Sequence, residues 1–184
     1  MVSQLKVNEI IKQSGSSISI GESGDTINLA GATYAVAANT PAFMVTLSGD
    51  FTLTDQATVK VAFNTEVYDT NSAYDPSTNY RFTVPSGEGG KYFIAAQILC
   101  GGMGDTGHKS DIYLYKNGSK FSSATGFNSN DTQYSIWCSL AVPINLSAGD
   151  YLEIYNYNDV ASGTPTAKSA DQQSFFSGYK LIGA

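Results

Sequence analysis

The sequence predicts an all-β protein: a jelly-roll sandwich preceded by a short β-stalk. Only 14% of the 184 residues are charged, against the usual ~25%. Tyr, Phe, Ser, Thr, Asn and Gly fill the difference, a composition of strand and turn formers. Beyond residue 41, short alternating apolar segments recur between turn signals, the pattern of a two-sheet sandwich. The last of them, 174–182, is apolar on both pleat faces. Phe175, Tyr179 and Leu181 share one parity; Phe176 and Ile182 share the other, with Gly178 between them. A strand of an antiparallel sheet needs one apolar face to pack on its own core. The second apolar face then calls for another subunit, because no later segment of the sequence can cover it.

Residues 1–40 read as an attachment segment and stalk, and 41–184 as the head. Leu5, Val7, Ile10 and Ile11 form a small apolar cluster suited to docking. Ile18 and Ile20 alternate with Ser17 and Ser19, a turn follows at Gly21–Asp25, and Ile27 and Leu29 alternate with Asn28. Two strands this short cannot stabilise themselves in water. Three copies wound on one axis would bury Ile18, Ile20, Ile27 and Leu29 centrally, which makes the expected stalk a trimeric β-prism. Tyr34 to Pro41 is a linker.

In the head, strands are expected at 42–48, 59–62, 66–68, 81–84, 90–100, 111–116, 119–127, 133–142, 151–157 and 174–182. Asn117-Gly118 is a two-residue hairpin signal. Asn64, Asp75-Pro76, Pro85 with Gly87, Gly89 and Gly90, 147–150 and 162–165 mark other reversals. No helix is required.

Charge and motifs exclude several functions. The net charge of −6, with Lys and Arg scattered, argues against nucleic acid and anionic membrane surfaces as partners. No stretch is long and apolar enough for membrane insertion, and the N-terminus lacks a signal-peptide core. Cys100 and Cys138 fall in expected strands. A disulfide there would need a close Cα pair, and reduced, buried thiols made in a cytoplasm are favoured. Catalysis is not supported. His108 is the only histidine and falls in a glycine-rich stretch read as a surface loop. Ser48-Gly49 and Ser177-Gly178 lack a nucleophile-elbow context, and 101–104 has no phosphate-loop Lys-Ser/Thr. Asp69, Asp75, Asp105, Asp111, Asp131 and Asp159 sit at turns, where oxygen ligands can hold calcium, but no spacing matches a defined calcium loop and no cofactor is expected. Loops at 101–108, 128–132 and 160–170 are the expected receptor-binding elements, with His108, Asn128, Asn130, Asp131, Ser162 and Thr164 as their candidate contacts. Tyr74, Tyr134, Tyr155 and Tyr157 are further candidates for stacking on sugars.

Six motifs occur together and in order: Pro41-Ala42-Phe43; Val61-Ala62-Phe63-Asn64 before Tyr74-Asp75; Tyr80 to Pro85 leading to Gly90 to Ile94; Leu114 to Gly118; Leu146, Gly149-Asp150 and Leu152 to Ile154; and Phe176 to Tyr179. This set resembles the globular head of complement C1q, within the tumour-necrosis-factor-like jelly-roll superfamily, over residues 41–184. The resemblance implies a homotrimer. It places Phe176, Gly178, Ile182 and Phe43 at the trimer interface and Tyr179 in the sandwich core. A collagen stalk of the animal type is absent. Leu5 to Asn8 and Gly24 to Leu29 instead resemble the N-terminal region of phage tail-fibre proteins. Together these imply a homotrimeric, non-enzymatic tail fibre in a virion, made in the host cytoplasm. Its N-terminal segment would contact other virion proteins, and its head a host surface glycan or protein. A head fibre or decoration protein without receptor binding, and a secreted bacterial adhesin or lectin, are the competing readings.

Overall fold

The structure, a computed structural model, describes residues 39–104, 108–128 and 135–181. The expected stalk residues Ile18, Ile20, Ile27 and Leu29 lie outside them, as do Asn130, Asp131, Tyr134 and Ile182. Two antiparallel sheets face one another. In chain order the strands are β1 (Ala42–Thr46), β2 (Phe51–Thr52), β3 (Thr58–Lys60), β4 (Thr65–Asp69), β5 (Tyr74–Asp75), β6 (Arg81–Thr83), β7 (Gly90–Met103), β8 (His108–Lys116), β9 (Ser119–Asn128), β10 (Ser135–Leu146), β11 (Tyr151–Asp159), β12 (Gly163–Ala167) and β13 (Phe175–Lys180).

The first sheet runs β2-β12-β7-β13-β1-β4, with β10 also paired to β7; the second runs β5-β6-β11-β8-β9, with β3 paired to β11. The expected strands are all present. The two-residue strands β2 and β5 are additional, and β12 occupies the middle of the stretch read as a loop at 160–170. A short 3-10 turn covers Ala170–Gln172.

The core follows from strict alternation. On β1, Phe43 and Val45 are buried while Ala42 and Met44 are partly exposed. Antiparallel register sets Phe43 opposite Gly178 and Val45 opposite Phe176, so the even-numbered side of β13 also faces inward. Phe43 stacks on Phe82 at 4.6 Å and meets Phe176 edge-on at 4.9 Å. Tyr74 and Phe63 close the cluster around Phe176 at 6.0 and 6.3 Å. Each such ring, fully buried, stabilises the fold by about 1.5–3 kcal/mol. Gly178 belongs to the same packing: a Cβ there would stand 2.6 Å from Ile94 Cδ1 and 3.0 Å from Phe43 Cε1.

Nearer the β7–β8 connection the core turns polar. The Cys100 thiol donates to Asn158 Oδ1 at 3.0 Å, Asn158 Nδ2 donates to Asn156 Oδ1, and Asn156 Nδ2 reaches Ser110 Oγ at 3.1 Å and the Asp111 carbonyl at 2.8 Å. Cys138 donates to the Ser110 carbonyl at 2.9 Å. Both cysteines are free thiols. Burial raises both, Cys100 to about 12, which disfavours the reactive thiolate.

Candidate functional site

Three surfaces of the sandwich differ in chemistry: the outer face of the first sheet, the outer face of the second, and the end that bears the connecting loops.

The outer face of the first sheet is built by the pleat positions opposite the core. Register aligns Pro143, Phe93 and Tyr179 in one row, Ala141, Ala95, Ser177 and Met44 in the next, and Ser139, Gln97 and Phe175 in a third. Trp137 stands beyond them on β10, 53% exposed. No charged side chain occurs in these rows; Lys91 marks the rim. Phe93 and Tyr179 lie 5.8 Å apart. An uncharged, aromatic sheet face of this extent is an interaction surface. Tyr68 continues it opposite Met44 on β4.

This face corrects the sequence-derived interface. Phe176 and Phe43 are 0% exposed within a single chain, and Gly178 packs against Phe43 and Ile94 of its own chain. None of the three has surface to offer another copy. Tyr179, expected in the core, is instead 37% exposed. Both sides of β13 are apolar, and the side of Phe176 is the one that packs on the chain's own core. Pleat pattern alone cannot decide it; the alternation of β1, transmitted by register, does. The residues that build the face but escaped the sequence reading are Phe93, Ala95, Met44 and Ala141. Their signal is the unbroken apolar run from Tyr92 to Ala96, which, like β13, has no polar side.

The loop-bearing end collects the β7–β8 and β9–β10 connections and the β11–β12 turn. The structure brings His108, Asn128, Ser162 and Thr164 together here. His108 pairs with Asn128 across β8 and β9, its Nδ1 accepts the Ala161 N–H at 3.4 Å, and Gly104 N–H donates to the Ser162 carbonyl at 3.1 Å. His108 and Asn128, however, are buried rather than presented. The first half of the glycine-rich stretch is strand: β7 continues through Gly101 and Gly102 to Met103, and β8 begins at His108 itself. His108 Nε2 has no hydrogen-bond partner among the described residues. Of the four, Thr164 is exposed and Ser162 half-buried. Residues 39–41 enter at the opposite end, where β1 begins beside the start of β7 and the end of β13.

Between the edges of β9 and β10 lies a cleft of about 260 Å3 lined by Gly126, Phe127, Asn128, Ser135, Ile136 and Trp137. Phe127 on its rim is 67% exposed. Gly126 lets the two strands close up: a Cβ there would lie 2.3 Å from Ile136 Cγ2 and 3.0 Å from the Trp137 carbonyl.

The outer face of the second sheet is charged and tyrosine-rich. Tyr155 pairs with Tyr113, Glu153 with Tyr115, and Tyr157 with Asp111. Asp111, deeply buried, accepts Tyr113 OH at 2.7 Å, Thr125 Oγ1 at 2.6 Å and Lys109 Nζ at 2.8 Å. Burial works to raise its carboxyl, but the hydrogen bonds of Lys109, Thr125 and Tyr113 outweigh it and the net shift is downward. Glu153 is paired with Lys60. Tyr74, by contrast, is a core residue whose hydroxyl donates to the Phe63 carbonyl at 3.1 Å.

Of the turn carboxylates considered for calcium, Asp105 and Asp131 lie outside the described residues, and Asp69 and Asp75 are engaged by their own turns. Asp75 accepts the N–H groups of Ser77, Thr78 and Asn79, and Asp69 those of Asn71 and Tyr74. Among the described residues no group of three or more His, Cys, Asp or Glu is arranged to hold a metal ion.

Two facing antiparallel sheets with this strand order define a jelly roll of the tumour-necrosis-factor type. The C1q domain model matches residues 42–181, and the chain belongs to the C1q family. Solved structures agree on the fold. The globular domain of the zebrafish complement 1qA protein matches with a TM-score of 0.56 and 20% identity, covering 78% of this chain and 98% of that one. Murine APRIL matches with a TM-score of 0.55 and 12% identity over 76% and 98% of the two chains. Eiger TNF from S. frugiperda matches with a TM-score of 0.50 and 16% identity over 78% and 93%. No curated protein matches the sequence significantly.

Proposed function

We propose that this chain is a homotrimeric phage fibre protein, a tail fibre of the virion, whose head contacts the host cell surface. The observation that carries the assembly is the uncharged outer face of the first sheet. Exposed to water, Phe93, Tyr179, Met44 and Trp137 would form an aggregation-prone patch; covered by a second copy they become an interface. The exposed aromatics of β9, Phe121 and Phe127, form a different patch of the same chain. One face and one edge suit a head-to-tail contact, which closes into a ring, and the C1q resemblance implies closure at three. The tail-fibre role rests on the pattern of residues 5–8 and 24–29 and on the separation of two ends. Residues 39–41 enter at one end of the head, and the end of β7, the start of β8 and the end of β9 lie at the other, beside the β11–β12 turn. Three copies would turn weak single-site contacts into avidity. The proposed activity is binding rather than catalysis.

The test has two parts. Sedimentation of the full chain at micromolar concentration should give the mass of three chains, and a monomer would refute the assembly. The purified protein should then compete with the virus for adsorption to host cells. A trimer that fails to compete at saturating concentration would make the head a decoration or structural cap.

A further inference from the structure

We propose that the outer face of the second sheet is a binding platform for a carboxylated saccharide. This deepens the attachment reading above, on which the biological role of the platform rests; the site itself is built within one chain. The Tyr115 and Tyr155 rings lie 4.3 Å apart, tilted by 37°, and Tyr113 continues the cluster 6.5 Å from Tyr115. Tyrosines held by a sheet lose little conformational freedom on binding. Their ring faces pack against the C–H faces of a pyranose, and their hydroxyls exchange hydrogen bonds with its hydroxyls.

Charge selects the kind of saccharide. The two carboxylates in the middle of the face are silent. Asp111 and Glu153 are buried, and each is neutralised by a lysine, Lys109 and Lys60 respectively. Two cations remain without a carboxylate partner among the described residues. Lys120 Nζ lies 3.3 Å from the Tyr113 ring centroid, and the Arg81 guanidinium 4.3 Å from that of Tyr151. Register puts them on opposite sides of one row, Lys120 on the edge strand β9 and Arg81 on β6, one strand in from the edge. Arg81 follows the Phe82–Leu152 pair alongside Glu153, Glu153 pairs with Tyr115, and Tyr115 pairs with Lys120. Three interstrand steps separate them, roughly 14 Å, the span of a short oligosaccharide. Tyr115 lies between them, with Tyr155 two residues along β11 from Glu153. In a protein of net charge −6, two unpaired cations flanking an aromatic strip are the complement of a sugar chain with anionic groups at its ends. Two further acids share this face: Asp75 stands opposite Arg81 on β5, its oxygens taken by the N–H groups of its own turn, and Asp159 stands at the far margin beside Lys109. The platform is on the layer opposite the uncharged face, so assembly through that face leaves it open, three times per trimer.

The experiment is calorimetric titration of the full-length protein with two probes of equal length, the carboxylated hexamer of galacturonate and neutral maltohexaose. The galacturonate hexamer should bind, and Arg81→Gln with Lys120→Gln should weaken it at least about tenfold, the loss expected for two charge-assisted contacts. Lys120→Gln alone, at an exposed edge-strand position, should weaken it in the same direction and serves if the double variant does not fold. Equal binding of maltohexaose, unchanged binding by folded variants, or no binding of either probe would overturn the platform. Sedimentation of the same samples separates the two proposals. A monomer that binds galacturonate refutes the trimer and keeps the platform, while a trimer that competes for adsorption but binds neither probe does the reverse.

Discussion

Ala95→Glu places one carboxylate in the middle of the uncharged sheet face. Ala95 lies between Ala141 on β10 and Ser177 on β13, with its pleat neighbours Ile94 and Ala96 buried on the other side. The substitution therefore leaves the chain's own core untouched. In an isolated chain the new glutamate points to water and costs little. In an assembly that covers this face it is desolvated with no cation in its row, since Lys91 at the rim is the nearest basic position in the sequence register. Leaving a buried charge uncompensated costs about 3–5 kcal/mol, incurred by all three copies, so of order 10 kcal/mol per trimer. Such a loss takes an assembly from stable at micromolar concentration to dissociated. The assay is sedimentation velocity beside near-ultraviolet circular dichroism. The expected outcome is a monomer with native aromatic signals and a cooperative melt. An Ala95→Glu protein that still sediments as a trimer would refute the assignment of this face.

Phe176→Ala should act in the opposite sense. It opens a cavity among Phe43, Phe63 and Tyr74 and should cost about 3–5 kcal/mol of chain stability, read by denaturant unfolding, while the folded fraction keeps its oligomeric state. Gly126→Ala should cost about 1–3 kcal/mol by driving β9 away from Ile136 on β10, with the melting temperature as the measure. Asp150 is held down to about 2 by hydrogen bonds from Asn117, then Lys116 and Ser147. A carboxyl depressed in the folded state adds stability above its unfolded value near 4 and loses it as pH falls toward 2. Asp150→Asn should therefore flatten the acid limb of the stability profile across that window. The thiols of Cys100 and Cys138 should react with a disulfide reagent at neutral pH only at the rate of unfolding, measured by absorbance with and without denaturant.

The strand content was legible because apolar segments recur between turn signals: β7, β8, β10, β11 and β13 all lie where those segments fall. What was not legible was sidedness. Phe175 and Phe176 are equally apolar, and the choice between them is made by partner strands β1 and β7, which sequence spacing does not reveal. The short β2, β5 and β12 were invisible for a different reason. Strands of two to five residues with Thr, Pro and Gly carry no periodicity and exist because a neighbouring edge supplies hydrogen bonds, as when Leu53 N–H meets the Pro165 carbonyl at 2.9 Å. The burial of His108 is not legible in the sequence because glycines signal loops as readily as close strand crossings. Here Gly101 and Gly102 lie inside β7, where the Thr164 carbonyl crosses too closely for a side chain at Gly102.

The difference between the two sheet faces bears directly on function. A sandwich that acted alone would need both outer faces polar, because both would meet water. This chain spends its charged residues unevenly. Arg81, Lys60, Lys109, Lys120, Asp111 and Glu153 lie on the second sheet, and the central rows of the first have none. The burial of Asp111 and Glu153 beneath lysines and tyrosines shows that the second face is ordered in its own right, with carboxylates used as internal anchors for Lys109, Tyr113 and Lys60. One face is thus chemically prepared to be covered by the same protein and the other to stay in water with its aromatic rings fixed in place. Assembly and recognition then make no competing demand on any single strand surface, and substitutions such as Ala95→Glu and Lys120→Gln should separate the two activities.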